Sequence, residues 1–140
     1  MKHYVMILIV ATALLTTCQP TATTSADASL NQEFTLSVGR EVSIKGEDFA
    51  VGFDSVIEDS RCPKSVQCVQ AGQAIIALNV RKPSSKGAPS RLTLSTAPAQ
   101  NQLSYQGYTI QLKMVSPYPE TPGQKIDAKN YEVTLVISRS

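Results

Sequence analysis

The 140 residues carry 13 Lys and Arg against 11 Asp and Glu, a formal charge of +2, with 42% hydrophobic and 6% aromatic residues. A near-balanced charge without any Lys/Arg cluster excludes the concentrated basic footprint on which nucleic-acid binding relies. The sole histidine, His3, and three cysteines narrow the chemistry further.

The chain opens with Met1-Lys2-His3 and an apolar run from Tyr4 to Leu15. One basic residue followed by a short apolar stretch is the layout of a secretory signal. The run is shorter than the about 20 apolar residues that a spanning helix needs, and it lacks the amphipathic stripe of a buried core helix. It ends in Leu15-Thr16-Thr17-Cys18, which resembles the bacterial lipobox, departing from it at Thr17, where Gly, Ala or Ser is commoner. The resemblance implies cleavage before Cys18, diacylation of its thiol and a lipid anchor in a membrane. Two or three acyl chains hold stably, at about 0.8 kcal/mol per buried methylene. The competing expectation is ordinary signal cleavage near Ala22 or Ala26, which would discard Cys18. Gln19 does not resemble the Asp that retains lipoproteins at the inner membrane, which implies an outer-membrane or cell-surface place in the envelope.

Losing Lys2 and His3 with the signal leaves 12 bases, 11 acids and no histidine. A chain without histidine has no Ser-His-Asp or Cys-His centre and lacks the commonest ligand for catalytic zinc or copper. With Cys18 lipidated, Cys62 and Cys68 are the remaining thiols, and an even pair in an oxidising compartment reads as a disulfide. Their C-x5-C spacing is neither that of a thioredoxin-like redox centre nor that of a zinc knuckle. Closing a ring of about seven residues contributes about 2.4 kcal/mol in the chain-entropy model, enough to brace a loop. No metal or other cofactor is expected.

From Gln19 to Gln32 the sequence is small and polar, with too little apolar surface to offset its ordering entropy. It is expected to be a flexible tether. Three segments follow: residues 1–17 as signal peptide, 18–32 as lipidated cysteine and tether, and 33–140 as the folded domain.

Within that domain Phe34, Leu36 and Val38 alternate with polar neighbours, and Gly39-Arg40 before Val42-Ser43-Ile44 predicts a hairpin. Phe49, Val51 and Phe53 repeat the period, and a phase shift at Asp54-Ser55 predicts a bulge. Ala74, Ile76, Leu78 and Val80 share one face, and residues 83–89 read as an exposed loop. Leu92 and Leu94 give a short strand, and Tyr108, Ile110, Leu112 and Met114 a longer one, with Met114 assigned to the core. The final strand carries Tyr131, Val133, Leu135 and Ile137. Helical turns are expected, if anywhere, in 59–72 and 124–129. About seven strands separated by Gly, Pro and Ser clusters predict an all-β fold, a single antiparallel β-sandwich of Greek-key type, with a small barrel as alternative.

The segment from Asp59 to Gly72, DSRCPKSVQCVQAG, resembles one found in a group of small secreted bacterial proteins and lipoproteins that carry DSRCP…C…AG between two strands. An aromatic residue commonly follows the second Cys-Val there, and Gln70 stands in its place. The resemblance implies a β architecture and a disulfide, without an activity. Two residues are candidates for binding: Arg61, beside the first cysteine, and Tyr118, within Ser116-Pro-Tyr-Pro-Glu-Thr-Pro-Gly123. The bland alternatives are an Arg61–Asp59 ion pair or cap on loop carbonyls, and a connection stiffened by proline. The remaining acids (Glu47, Asp48, Asp54, Glu58 and Asp59) read as solvated charges. The expected function is a membrane-tethered, non-catalytic module that binds an envelope protein or polymer, or a structural subunit of an envelope assembly. The rival is a surface enzyme or inhibitor acting on carbohydrate or peptide.

Overall fold

The computed structural model describes residues 27–140. The expected signal, Cys18 and most of the expected tether lie outside the described residues. Among the described residues nine strands form two facing sheets: β1 (Asp27–Ala28), β2 (Glu33–Ser37), β3 (Glu41–Ile44), β4 (Ala50–Asp59), β5 (Ala74–Arg81), β6 (Ser90–Ser95), β7 (Gln102–Tyr105), β8 (Tyr108–Ser116) and β9 (Glu132–Arg139). One sheet has the order β1-β3-β4-β5-β6 and the other β2-β9-β8-β7. Every pairing is antiparallel except β1 with β3. The sheets stay separate, so the fold is the sandwich and not the barrel. Strands β1 and β7 are the two that alternation did not reveal; at two and four residues they are too short to show a period.

The core lies between the sheets, because alternation sends every second side chain inward. Phe49, Val51, Phe53, Ile76, Leu78 and Val80 from one sheet meet Ile110, Leu112, Val133, Leu135 and Ile137 from the other, all but excluded from water. Buried atoms of this kind contribute about 25 cal/mol per Å² of apolar surface.

Three local expectations are corrected. Gly39-Arg40 is not a hairpin turn: β2 pairs with β9 and β3 with β4, so the chain crosses between sheets there. Gly39 at φ 77° makes the corner, and the Gly39 amide donates to Phe53 O at 2.7 Å, which ties the corner to the opposite sheet. Met114 is not core but 54% exposed. A register shift between Leu112 and Met114 reverses the alternation, as a bulge does, and Val115 takes the buried position. The tether does not run to Gln32: Asp27 and Ala28 pair with Ser43 and Ile44, Ala28 is buried, and the Asn31 amide donates to Ile137 O at 2.8 Å. Small polar composition suffices for order here because β3 offers a ready-made hydrogen-bonding edge. The bulge expected at Asp54-Ser55 is present, with a second between Val56 and Glu58.

Candidate functional site

Strand β4 ends at Asp59 and β5 begins at Ala74, and the cysteine segment joins them at one end of the sandwich. The two strands stay paired past their ends: the Ser60 amide donates to Gln73 O at 2.8 Å, and the Cys62 amide to Ala71 O at 2.9 Å. At Gly72 the backbone has φ 65°, and a Cβ there would stand 1.8 Å from Ser60 O. Only glycine fits such an approach. Beyond it the loop closes through Cys62–Cys68, with Cα atoms 5.9 Å apart. A turn from Pro63 to Val66 occupies the loop; neither end of the segment is helical. The short 3-10 turn Ala128–Asn130 overlaps the other expected range, and a second, Pro98–Gln100, lies where none was expected.

Arg61 is 7% exposed and connects the elements around it. Its Nε and Nη2 donate to the two carboxylate oxygens of Asp59 at 2.7 and 2.6 Å. Nη1 donates to Val115 O at 2.5 Å and Nη2 also to Pro117 O at 2.8 Å. The Tyr131 hydroxyl donates to Asp59 Oδ2 at 2.9 Å. A planar, bidentate guanidinium thus joins the end of β4, the cystine loop and the end of β8, and its partner Asp59 ties in the entry to β9 through Tyr131. Burial alone would raise the Asp59 pKa, but hydrogen bonds from Arg61 and Tyr131, with the Arg61 charge, hold it below the ordinary value. Burial, with the bond to Asp59, pushes the Tyr131 phenol up to about 12.

Strand β7 pairs with β8 only as far as Gln111, and Leu112 donates to Asn101 O. Past that point the Arg61 donors cover the Val115 carbonyl near the end of β8 and the Pro117 carbonyl just beyond it, where β7 no longer pairs. An uncovered edge invites pairing with another chain, and Arg61 closes it.

Arg61 therefore takes the internal role, both ion pair and carbonyl cap, with four of its five N–H donors engaged within the fold. Asp59 is correspondingly not a solvated charge. Tyr118 is exposed, with the Arg61 guanidinium 4.8 Å and Lys64 Nζ 5.9 Å from its ring centre. The 116–123 segment is also internally stiffened: Pro119 is buried, and the Glu120 amide donates to Gln124 Oε1 at 2.7 Å. Lys64 and Ser65 amides donate to Pro119 O and Glu120 O at 3.1 and 3.0 Å, and Lys64 pairs with Glu120 at 2.7 Å. The two loops make one surface.

An open groove of about 300 Å³ runs beside it, lined by Ala71, Thr96, Lys113, Met114 and Tyr118 over a floor of Arg61 and Val115. Among the described residues the large exposed apolar side chains are Ile57, Val66, Val69, Met114 and Tyr118. All five lie at this end, and Val69 is fully exposed. The opposite end is charged, with Glu47 bridging Arg139 and Tyr108 and Asp48 bound to Ser84. Arg139 and Tyr108 keep the Glu47 carboxyl below its ordinary pKa. Sequence reading missed Val66, Val69 and Met114 as surface features. A lone valine in a loop carries no periodic signal, and the bulge that exposes Met114 has none either. Among the described residues no group of three His, Cys, Asp or Glu could hold a metal ion, and no helix is long and apolar enough to cross a membrane.

Comparison with known proteins finds no matching family model, no similar curated protein and no similar solved structure.

Proposed function

We propose that this chain is an exported lipoprotein, anchored through Cys18, whose sandwich is a non-catalytic binding module for an envelope protein. The cystine loop and the 116–123 segment form the binding face. The observation that carries the reading is the gathering of all five large exposed apolar residues at the end that Arg61 makes rigid. Exposed apolar residues scattered singly mean little, whereas a cluster marks an interaction surface. Rigidity lowers the ordering cost of association. In 57–72 and 113–132 five basic residues face five acidic ones, so the face has no net pull toward phosphates or an anionic surface. An apolar protein surface matches it better.

The rival inhibitor reading gains least from the loop itself. A segment recognised as an extended strand offers free backbone groups, but the amides of Lys64 and Ser65 are already bonded to the neighbouring loop.

The test is photo-crosslinking in intact cells, with a photoreactive phenylalanine at Tyr118 and, as control, at Lys86 in the loop at the other end. A discrete adduct from position 118 that is missing from 86 is expected. Identical patterns, or none from 118, would remove the face from consideration. Glycan-hydrolysis and protease-inhibition panels address the rival, and turnover abolished by one carboxylate substitution in a folded variant would establish it. Membrane fractionation tests the anchor: Cys18→Ser should move the protein out of the membrane fraction.

A further inference from the structure

We infer that Cys62–Cys68 is a redox latch on this face: an external dithiol opens it and loosens the loop while the sandwich stays folded. This rests on the binding reading for its purpose, though not for its structural content. Three observations carry it. First, no residue between Cys62 and Cys68 belongs to the core, and the ring hangs beyond the ends of β4 and β5. Second, the roots of the loop are tied independently of sulfur, by Ser60 to Gln73 on both backbone and hydroxyl, and by the Arg61–Asp59 pair. Third, the bonds that hold the ring against its neighbour are few: the exposed Lys64–Glu120 pair and the amides of Lys64 and Ser65 on residues 119 and 120. Exposed ion pairs and single hydrogen bonds contribute little each. They persist because the closed ring presents those amides in one arrangement.

Cys68 is exposed, Cys62 less so. The accessible sulfur is the one an attacking thiolate reaches. A thiolate of the dithiol attacks Cys68 Sγ, the S–S bond breaks, and Cys62 leaves as a thiolate that takes up a proton. The second thiol of the dithiol then attacks its own sulfur in the mixed disulfide and releases Cys68. Two electrons pass to the chain, which gains two thiols, and the dithiol becomes a disulfide. Val66 and Val69 are carried on or next to the freed ring, so the binding face changes and Arg61 does not.

The experiment treats the full chain with dithiothreitol in native buffer, traps the thiols with iodoacetamide, and follows amide hydrogen exchange by mass spectrometry. Exchange in a peptide spanning 62–70 should rise at least tenfold, while peptides from β5 and β9 stay within twofold of the oxidised protein. The Cys62→Ser/Cys68→Ser double variant, free of any alkyl group, should show the same pattern. Loss of protection in β5 and β9 would make the bridge a structural staple and overturn the latch. So would unchanged exchange in 62–70, or resistance of the bridge to dithiothreitol without denaturant. None of these readouts involves a partner, so failure of the latch is distinguishable from failure of the binding reading.

Discussion

Asp59 is the counter-charge to a largely buried guanidinium, and its removal should be felt strongly. With side-chain exposures of 9% and 5%, Asp59→Ala strands Arg61 as an uncompensated buried charge. Breaking such a pair from one side costs about 3–5 kcal/mol, measurable by urea denaturation. The double variant Asp59→Leu/Arg61→Met should recover much of that loss, because paired burial itself is near neutral against an apolar replacement. Acid reports on the same group. A carboxyl whose folded pKa is depressed contributes stability above its unfolded value, near 3.9, and loses it as pH falls through the folded value. Stability should therefore decline below about pH 4, and Asp59→Asn should flatten that limb. Tyr131 acts in the opposite direction. Raised to about 12, its contribution is complete below the unfolded value near 10 and vanishes as pH climbs through 12. In Tyr131→Phe that alkaline decline should be shallower in thermal melts, what remains coming from Tyr108, whose phenol is also raised by its bond to Glu47. Gly72→Ala places a methyl against Ser60 O at a positive φ, and should cost at least about 2 kcal/mol.

Strand β5 was legible as a short apolar run whose Ala74, Ile76, Leu78 and Val80 are buried, with Ala77 buried as well. Strand β9 was legible because its alternation is unbroken and it buries the residues its period selects. In β4 the phase shift at Asp54-Ser55 announced the bulge for the same reason. Strand β8 was not fully legible: Met114 and Val115 are adjacent and both apolar, so either fits the core, and pairing with β9 decides. Gly39 marked a reversal correctly, but a turn signal does not say which sheet receives the next strand. The Asp59–Arg61 pair was visible as a possibility from its spacing. Its partners Val115, Pro117 and Tyr131 were not, being 54, 56 and 72 residues from the residues they bond. The elements also separate two kinds of apolar residue by experiment. Leu135→Ala in the middle of β9 should cost about 2–5 kcal/mol. Val69→Ser, in the loop, should stay within about 0.5 kcal/mol of the parent while weakening any crosslink from position 118.

At the scale of the molecule, the sandwich is polarised. Both ends carry ion pairs, but the cystine loop, the groove and the large exposed apolar residues lie at one end, and the loops at the other are polar. The all-β, single-domain reading followed from strand number and turn spacing alone. The polarity did not, since it depends on which loops the topology gathers. Removal of the peripheral bridge should leave a cooperative denaturation curve, because the sheets hold together through Phe49, Phe53, Ile76, Leu135 and Ile137 and not through sulfur. Strand β1 has a practical consequence of another kind. Its two residues shield the flank of β3 at Ser43 and Ile44, so a recombinant chain begun at Glu33 would bare that stretch and the Lys45 amide and open the space Ala28 fills. Such a chain should precipitate or form intermolecular ribbons, where one retaining Asp27 onward remains dispersed.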